Sequence, residues 1–165
     1  MPLEPAVTDL EQLKSHGEVA CLLVWNAAAV EGARFDRKEL SIYLERSGLR
    51  AAGAALKNDP ALQYDALSDV TCVDWMPSDP RFEVIYHLFS TATKKRVRLK
   101  VRLSADDAAV DSLTPIWPGA DFFEREVFDL FGVRFNQHPN LKRIMMPDNW
   151  EGHPLRKDYP VEGYR

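Results

Sequence analysis

A chain of 165 residues, 45% hydrophobic and 28% charged, is sized for one globular domain that buries roughly two-thirds of its unfolded surface. Its 21 Lys and Arg against 25 Asp and Glu leave a net charge of -4, so there is no global attraction to nucleic acid phosphates. The longest apolar run, "VACLLVW" followed by "AAAV", is cut by Asn26 and falls short of the roughly 20 residues a membrane helix needs, and the acidic start "MPLEPAVTDLEQL" lacks the basic flank of a secretory signal. These features predict a cytoplasmic protein whose membrane association, if any, comes through a partner.

In chain order, "TDLEQLKSH" predicts a short amphipathic helix with Thr8 as N-cap and Glu11 completing a capping box. "GEVACLLVW" has the continuous apolar character of a buried strand, and "KELSIYLER" alternates Leu40, Ile42 and Leu44 with polar neighbours, as a half-buried strand does. "SGLRAAGAALKNDP" predicts a helix stopped at Asn58-Asp59-Pro60. Three strands follow in "ALSDVTCVDW", "RFEVIYHLFS" and "TKKRVRLKVRLS", the last two forming a hairpin. The final strand places Val97, Leu99, Val101 and Leu103 on one face and Arg96, Arg98, Lys100 and Arg102 on the other. That basic row is expected to be solvated surface, with an acidic partner as the alternative. Cys21 and Cys72 lie far apart, without the close-spaced pairs of a cluster or zinc site, and read as reduced core thiols.

"SADDAAVDSLTPIWPGAD" predicts a connector with one helical turn, and "ADFFEREVFDLF" a helix with Phe123, Val127, Leu130 and Phe131 on one arc. Arg125 and Asp129, four apart, are expected to pair on the opposite side. Glu124 falls on the apolar side, where two accounts compete. Either Asp121 is the N-cap and Glu124 completes a capping box, or Glu124 or Glu126 is half of a buried ion pair with an arginine such as Arg143. Glu124 and Glu126 point about 200° apart and cannot act as a paired acid and base.

After Gly132, a fitting helix terminator, Pro139, Pro147, Pro154 and Pro160 exclude a helix or central strand. Yet this stretch carries Phe135, Leu141, Ile144, Met145, Met146, Trp150, Leu155, Tyr159 and Tyr164, too much apolar surface for a disordered tail. It is expected to be an arm lying along another protein, protease-sensitive beyond about residue 133 until a partner is added. A metal site from His138, His153 and Asp148 lacks short-range ligand spacing. Arg156, Lys157 and Asp158 read as partner-facing charges. The expected organisation is an α+β domain at 1–105, a connector and charged helix at 106–132, and a partner-binding arm at 133–165, giving a two-layer helix and mixed β-sheet fold.

"EREVFDLFGVRFNQHPNLKRIMM" and "WEGHPLRKDYP" closely resemble the 30 kDa-type hydrophilic peripheral-arm subunit, designated C, of proton-translocating NADH:quinone oxidoreductase, respiratory complex I. The resemblance is specific over residues 121–160, looser through the three strands before it, and topological before about Lys57. It implies a non-catalytic assembly subunit on the cytoplasmic side of the inner membrane, without flavin, iron–sulfur cluster or quinone of its own. FMN, the clusters and quinone would lie in partner subunits, and electrons would pass from NADH to quinone through those chains, coupled to proton translocation. The implied partners are the quinone-site subunit and the terminal-cluster subunit, with the ferredoxin-like cluster subunit as a further neighbour. The residue-level reading and the resemblance together place the partner interface on Glu124, Arg125, Glu126, Asp129, Phe131, His138, Lys142, Arg143, Trp150, His153, Arg156, Lys157, Asp158 and Tyr159. Gln137 stands where members of the family commonly have glycine, which puts a turn of positive φ in question there. An equivalent subunit of a membrane-bound hydrogenase or formate hydrogenlyase is the alternative assembly, and a free-standing enzyme using Glu124, His138 or His153 the alternative class.

Overall fold

A computed structural model describes residues 5–162. The chain runs through α1 (Leu10–Leu13), α2 (Gly17–Asn26), β1 (Val30–Asp36), β2 (Glu39–Leu44), α3 (Leu49–Asn58), β3 (Ala66–Asp74), β4 (Phe82–Phe89), β5 (Arg96–Leu103), β6 (Ala109–Asp111), α4 (Ala120–Phe131) and β7 (Arg134–Asn136). Five strands form one sheet in the order β1-β2-β5-β4-β3, antiparallel except where β2 runs beside β5. The β4–β5 hairpin predicted from alternation is present, paired from Phe82↔Leu103 to Phe89↔Arg96. Its inward row, Val97, Leu99, Val101 and Leu103, is buried with Leu22 of α2, Leu49, Ala52 and Leu56 of α3, and Val127 and Phe131 of α4 in one core. This is the expected α+β class.

The outward basic row is largely neutralised within the sheet. Glu83, itself buried, takes Lys100 at 2.8 Å and Arg102 at 3.1 Å, and Glu39 takes Arg98 at 2.8 Å.

Residues 17–26 correct the sequence reading, because they form helix α2 and not a strand. An unbroken apolar run has no period to read, and burial suits either element. The strand that pairs with β2 is instead β1, whose weak alternation, with a bulge between Val30 and Gly32, conceals it. Helix α1 is capped by Asp9, whose carboxylate accepts the Glu11 N–H, and not by Thr8. Two three-residue strands have no counterpart in the sequence pattern. β6 and β7 pair in parallel, so the connector and the start of the C-terminal stretch flank α4 as a small βαβ unit.

The connector is locked to α3 and the loop after it at Trp117, whose indole N–H donates to the Tyr64 carbonyl of that loop at 3.1 Å. A Cβ on Gly53 of α3 would lie 3.0 Å from the Trp117 ring, so a side chain there would crowd the indole. Lys57 Nζ donates to the Ile116 carbonyl at 2.5 Å. Trp117 is 3% exposed. Trp117→Ala is therefore expected to cost about 3–5 kcal/mol of stability, read as a lowered midpoint in guanidinium unfolding followed by far-UV circular dichroism.

Candidate assembly surface

Helix α4 places two carboxylates toward the protein interior, and each organises a neighbouring segment that has little regular structure. Glu124 is fully buried. Its Oε1 accepts the Leu113 N–H at 2.7 Å and the Tyr86 hydroxyl at 3.2 Å, while Oε2 accepts Ser112 Oγ at 2.6 Å. The helix begins at Ala120 with Gly119 as N-cap and no side-chain cap, so the capping-box account of Asp121 and Glu124 does not hold. Nor does Glu124 pair with an arginine: two hydroxyls and an amide donate to it, His138 Nε2 lies 3.9 Å from its Oε2, and it holds the connector from within. Burial pushes its carboxyl up to about 7, against the pull of those hydrogen bonds.

Asp129 is also fully buried, and the expected Arg125–Asp129 pair is absent. Asp129 Oδ1 takes Arg143 Nη1 at 2.5 Å, and Oδ2 accepts the N–H groups of Ile144, Met145 and Met146 at 2.9, 2.8 and 2.8 Å. Burial opposes its charge, but the three amides and the guanidinium outweigh it and hold the carboxyl below its ordinary value. Arg125 instead donates to the carbonyls of Lys142 and Arg143, both at 3.2 Å.

The C-terminal end of α4 would leave carbonyls without intrahelical partners. The later chain supplies them. His153 Nδ1–H donates to the Asp129 carbonyl at 2.9 Å, the Leu155 N–H to Leu130 at 3.0 Å, and Arg156 Nε to Phe131 at 2.5 Å. Cations at this end also meet the negative pole of the helix dipole. The close approach depends on Gly132, which turns the chain at φ 75° and whose absent Cβ would fall 2.4 Å from Arg156 Nη2 and 2.6 Å from the His153 ring.

A third anchor reaches the main sheet. Asp74, at the end of β3, binds Arg81 through both oxygens at 2.9 and 2.7 Å and accepts the Lys157 N–H at 2.9 Å. The remaining face of the Arg81 guanidinium grips Asp158 at 2.9 and 2.7 Å. The bidentate Arg81 bond holds the Asp74 carboxyl well below the usual carboxylate range. Arg156 and Arg81 also lie over the Phe82 ring, at 5.1 and 4.9 Å. Nothing in local periodicity points to Asp74 or Arg81, which lie some eighty residues from their arm partners.

The arm thus folds back on its own domain, contrary to the expectation of a stretch without internal partners. Its polar groups turn inward and much of its apolar surface does not. Phe122 of α4 and Met145 are each 62% exposed and Leu155 52%, with Ile144 and Trp150 also exposed. Of the residues expected at an interface, Glu126, Lys142, Trp150, Lys157 and Asp158 are exposed, although Asp158 is tied to Arg81. Arg125, His138, Arg143, His153, Arg156 and Tyr159 are half-buried. Glu124, Asp129 and Phe131 are buried in the chain's own interior. His138 accepts the Asn140 N–H on Nδ1 at 3.0 Å and faces the Asp121 carbonyl with Nε2 at 3.2 Å. Gln137 keeps the positive φ, at 59°, that its side chain puts in question, and its Oε1 accepts Arg50 Nη1 at 2.5 Å. Among the described residues no group of three or more His, Cys, Asp and Glu could hold a metal ion.

A family model for the respiratory-chain NADH dehydrogenase 30 kDa subunit matches residues 42–165. The NADH-quinone oxidoreductase subunit designated C in Citrifermentans bemidjiense is 46% identical over 127 residues, 77% of this chain and 78% of that protein. The mitochondrial NADH-ubiquinone oxidoreductase 30.4 kDa subunit of Neurospora crassa is 46% identical over 129 residues, 78% of this chain and 45% of that protein. Among solved structures, the trypsin-resistant fragment (1-134) of Nqo5 superimposes with a TM-score of 0.64 at 27% identity, covering 75% of this chain and 99% of the fragment. A chain of an archaeal membrane-bound sulfane sulfur reductase superimposes with a TM-score of 0.71 at 25% identity, covering 89% of this chain and 86% of that one.

Two outcomes follow from this geometry. A carboxyl whose folded pKa is raised contributes stability that is full below its unfolded value, here 4.5, and is lost as pH rises toward about 7. Between pH 5 and pH 8 the native chain should therefore lose about 2 kcal/mol more stability than Glu124→Gln, measured by urea unfolding of both at each pH. Gly132→Ala should leave the far-UV spectrum nearly unchanged but speed tryptic cleavage at Arg156 and Lys157, because the added methyl displaces the arm.

Proposed function

Since the chain belongs to the family of the respiratory-chain NADH dehydrogenase 30 kDa subunit, we propose that it is the 30 kDa-type subunit of an NADH:quinone oxidoreductase and works there as an assembly element of the peripheral arm. The observation that carries this reading is the two-sided arm. Much of its backbone and several of its charges bond α4 and the β3–β4 region, while Ile144, Met145, Trp150 and Leu155 stay exposed among the described residues. An apolar ridge held on polar anchors is suited to burial by another protein.

The family's reaction moves electrons from NADH to quinone, and in this proposal the redox groups, FMN, iron–sulfur clusters and quinone, lie on other chains. This chain contributes position. Electron transfer between carriers depends steeply on their separation, and a rigid wedge fixes the separations of carriers it never touches. The partners we assign are the quinone-site subunit and the terminal-cluster subunit, with the ferredoxin-like cluster subunit as a further neighbour. The site is the cytoplasmic side of the inner membrane. No helix among the described residues is long and apolar enough to cross a membrane, so attachment would come through the complex.

The fold is shared with the sulfane sulfur reductase chain, so architecture alone does not separate related assemblies. Sequence favours the NADH-linked one, with 46% identity across more than three-quarters of both chains. Charge reversal at Arg125 or Arg156 does not isolate an interface effect, because both side chains bond carbonyls within the chain. The exposed Met145 and Leu155 do. Tagged chain purified from source membranes should bring down the quinone-site and terminal-cluster subunits, identified by mass spectrometry. Met145→Asp/Leu155→Asp should cut that recovery severalfold with an unchanged unfolding midpoint. Normal recovery of the complex by this variant would remove the ridge from the interface.

A further inference from the structure

A second feature shares no residue with the arm. The β1–β2 and β4–β5 turns lie at the same end of the sheet, because β2 and β5 run parallel with Leu40 opposite Val97. Between them is a cavity of about 690 Å3, of the size that holds a small molecule. Arg37 and Lys38 from one turn, and Lys94, Lys95, Arg96 and Arg98 from the other side, line it.

The charge balance is lopsided for a chain of net charge -4. Six Lys and Arg line the cavity against three acids, Glu18, Glu39 and Asp69. Two of the acids are already engaged. Glu18 accepts the Tyr64 hydroxyl at 2.7 Å and lies 3.9 Å from Lys95, and Glu39 pairs with Arg98 at 2.8 Å, while Asp69 stands opposite His87 across the β3–β4 ladder. Arg37, Lys38 and Arg96 have no carboxylate within ion-pair distance among the described residues.

The turn that presents two of these cations is built against local preference. Asp36 pairs with Glu39, leaving Arg37 and Lys38 as a two-residue loop with φ of 51° and 67°. Asn-Gly is the usual pair for that geometry, and long side chains are strained in it. Lys94, in the facing turn, has φ 59°. Strained backbone that aims cations into a cavity is a reason to look for what they bind.

We propose that this cleft binds a small polyphosphate anion, the phosphates held between the two turns. Arginine offers a planar fork and lysine a mobile point charge, a combination suited to a chain of phosphate oxygens. On the wall, the His16 and Phe35 rings lie 4.8 Å apart, centroid to centroid and tilted by 38°, and offer aromatic surface beside the charged mouth. The shared chemistry is the polyphosphate, free or as the tail of a nucleotide.

The test is isothermal titration of the 165-residue chain with tripolyphosphate and, separately, with ATP, both without magnesium at low ionic strength. Saturable binding of either probe is expected. Tighter binding of ATP assigns the ring wall to a nucleoside, and equal binding assigns recognition to the phosphates alone. Arg37→Asn/Lys38→Gly should weaken binding at least about tenfold while keeping or raising the unfolding midpoint, because it removes two charge-assisted contacts and relaxes the turn. Arg46→Gln/Arg134→Gln removes two cations from a separate surface and should leave affinity unchanged. The proposal is overturned if neither probe saturates, or if the two double variants weaken binding equally.

Discussion

The C-terminal third of this structure hangs on the carboxylate of Asp129. It lies inside the protein, receives three consecutive backbone amides and an arginine, and belongs to a helix whose own terminal carbonyls take donors from the same returning chain. A buried carboxylate without such partners would be strongly disfavoured. A proline-punctuated chain without a ladder has amides to place. Each need meets the other, and the path of residues 143–157 follows from that match. Glu124 does the corresponding work for the connector that precedes the helix. The charges set among the phenylalanines of α4 thus stand in for secondary structure on both sides of it.

What can be read from the sequence is whatever repeats over a short distance. The β4–β5 hairpin, β2 and α3 announce themselves by alternation or by a helical arc with a stop, and the buried rows lie where their spacing requires. Helix α2 is illegible because an unbroken apolar run carries no phase. Strands β6 and β7 are too short to show a pattern at all. Arg125 and Asp129 invite pairing because they are four apart on a helix, yet the guanidinium that takes Asp129 comes from Arg143, fourteen residues on across an aperiodic stretch. The Asp74–Arg81–Asp158 bridge is hidden for the same reason on a larger scale.

The arm also shows how a composition argument can be half right. Residues 133 onward are rich in large apolar groups and have no core of their own, which suggests a loose strip awaiting a partner. The chain buries only the start of the strip, Val133 and Phe135, and docks the rest largely by hydrogen bonds, so that Ile144, Met145, Trp150 and Leu155 are anchored and still exposed. A polar seat and an apolar outer edge are separate properties of one segment, and composition counts only the second. The cationic cleft between the hairpin turns is built differently again, from strained loops on the regular sheet, and involves no part of this seat.

Three amides converging on one oxygen impose more than a path. They fix the backbone of Ile144, Met145 and Met146 in one conformation, so the Cα–Cβ bonds that leave it start in set directions. The backbone entropy lost in ordering that stretch is charged to the folding of this chain. Under the proposed role, a protein that covered this stretch would meet a backbone already ordered, and docking would need no coupled folding step there.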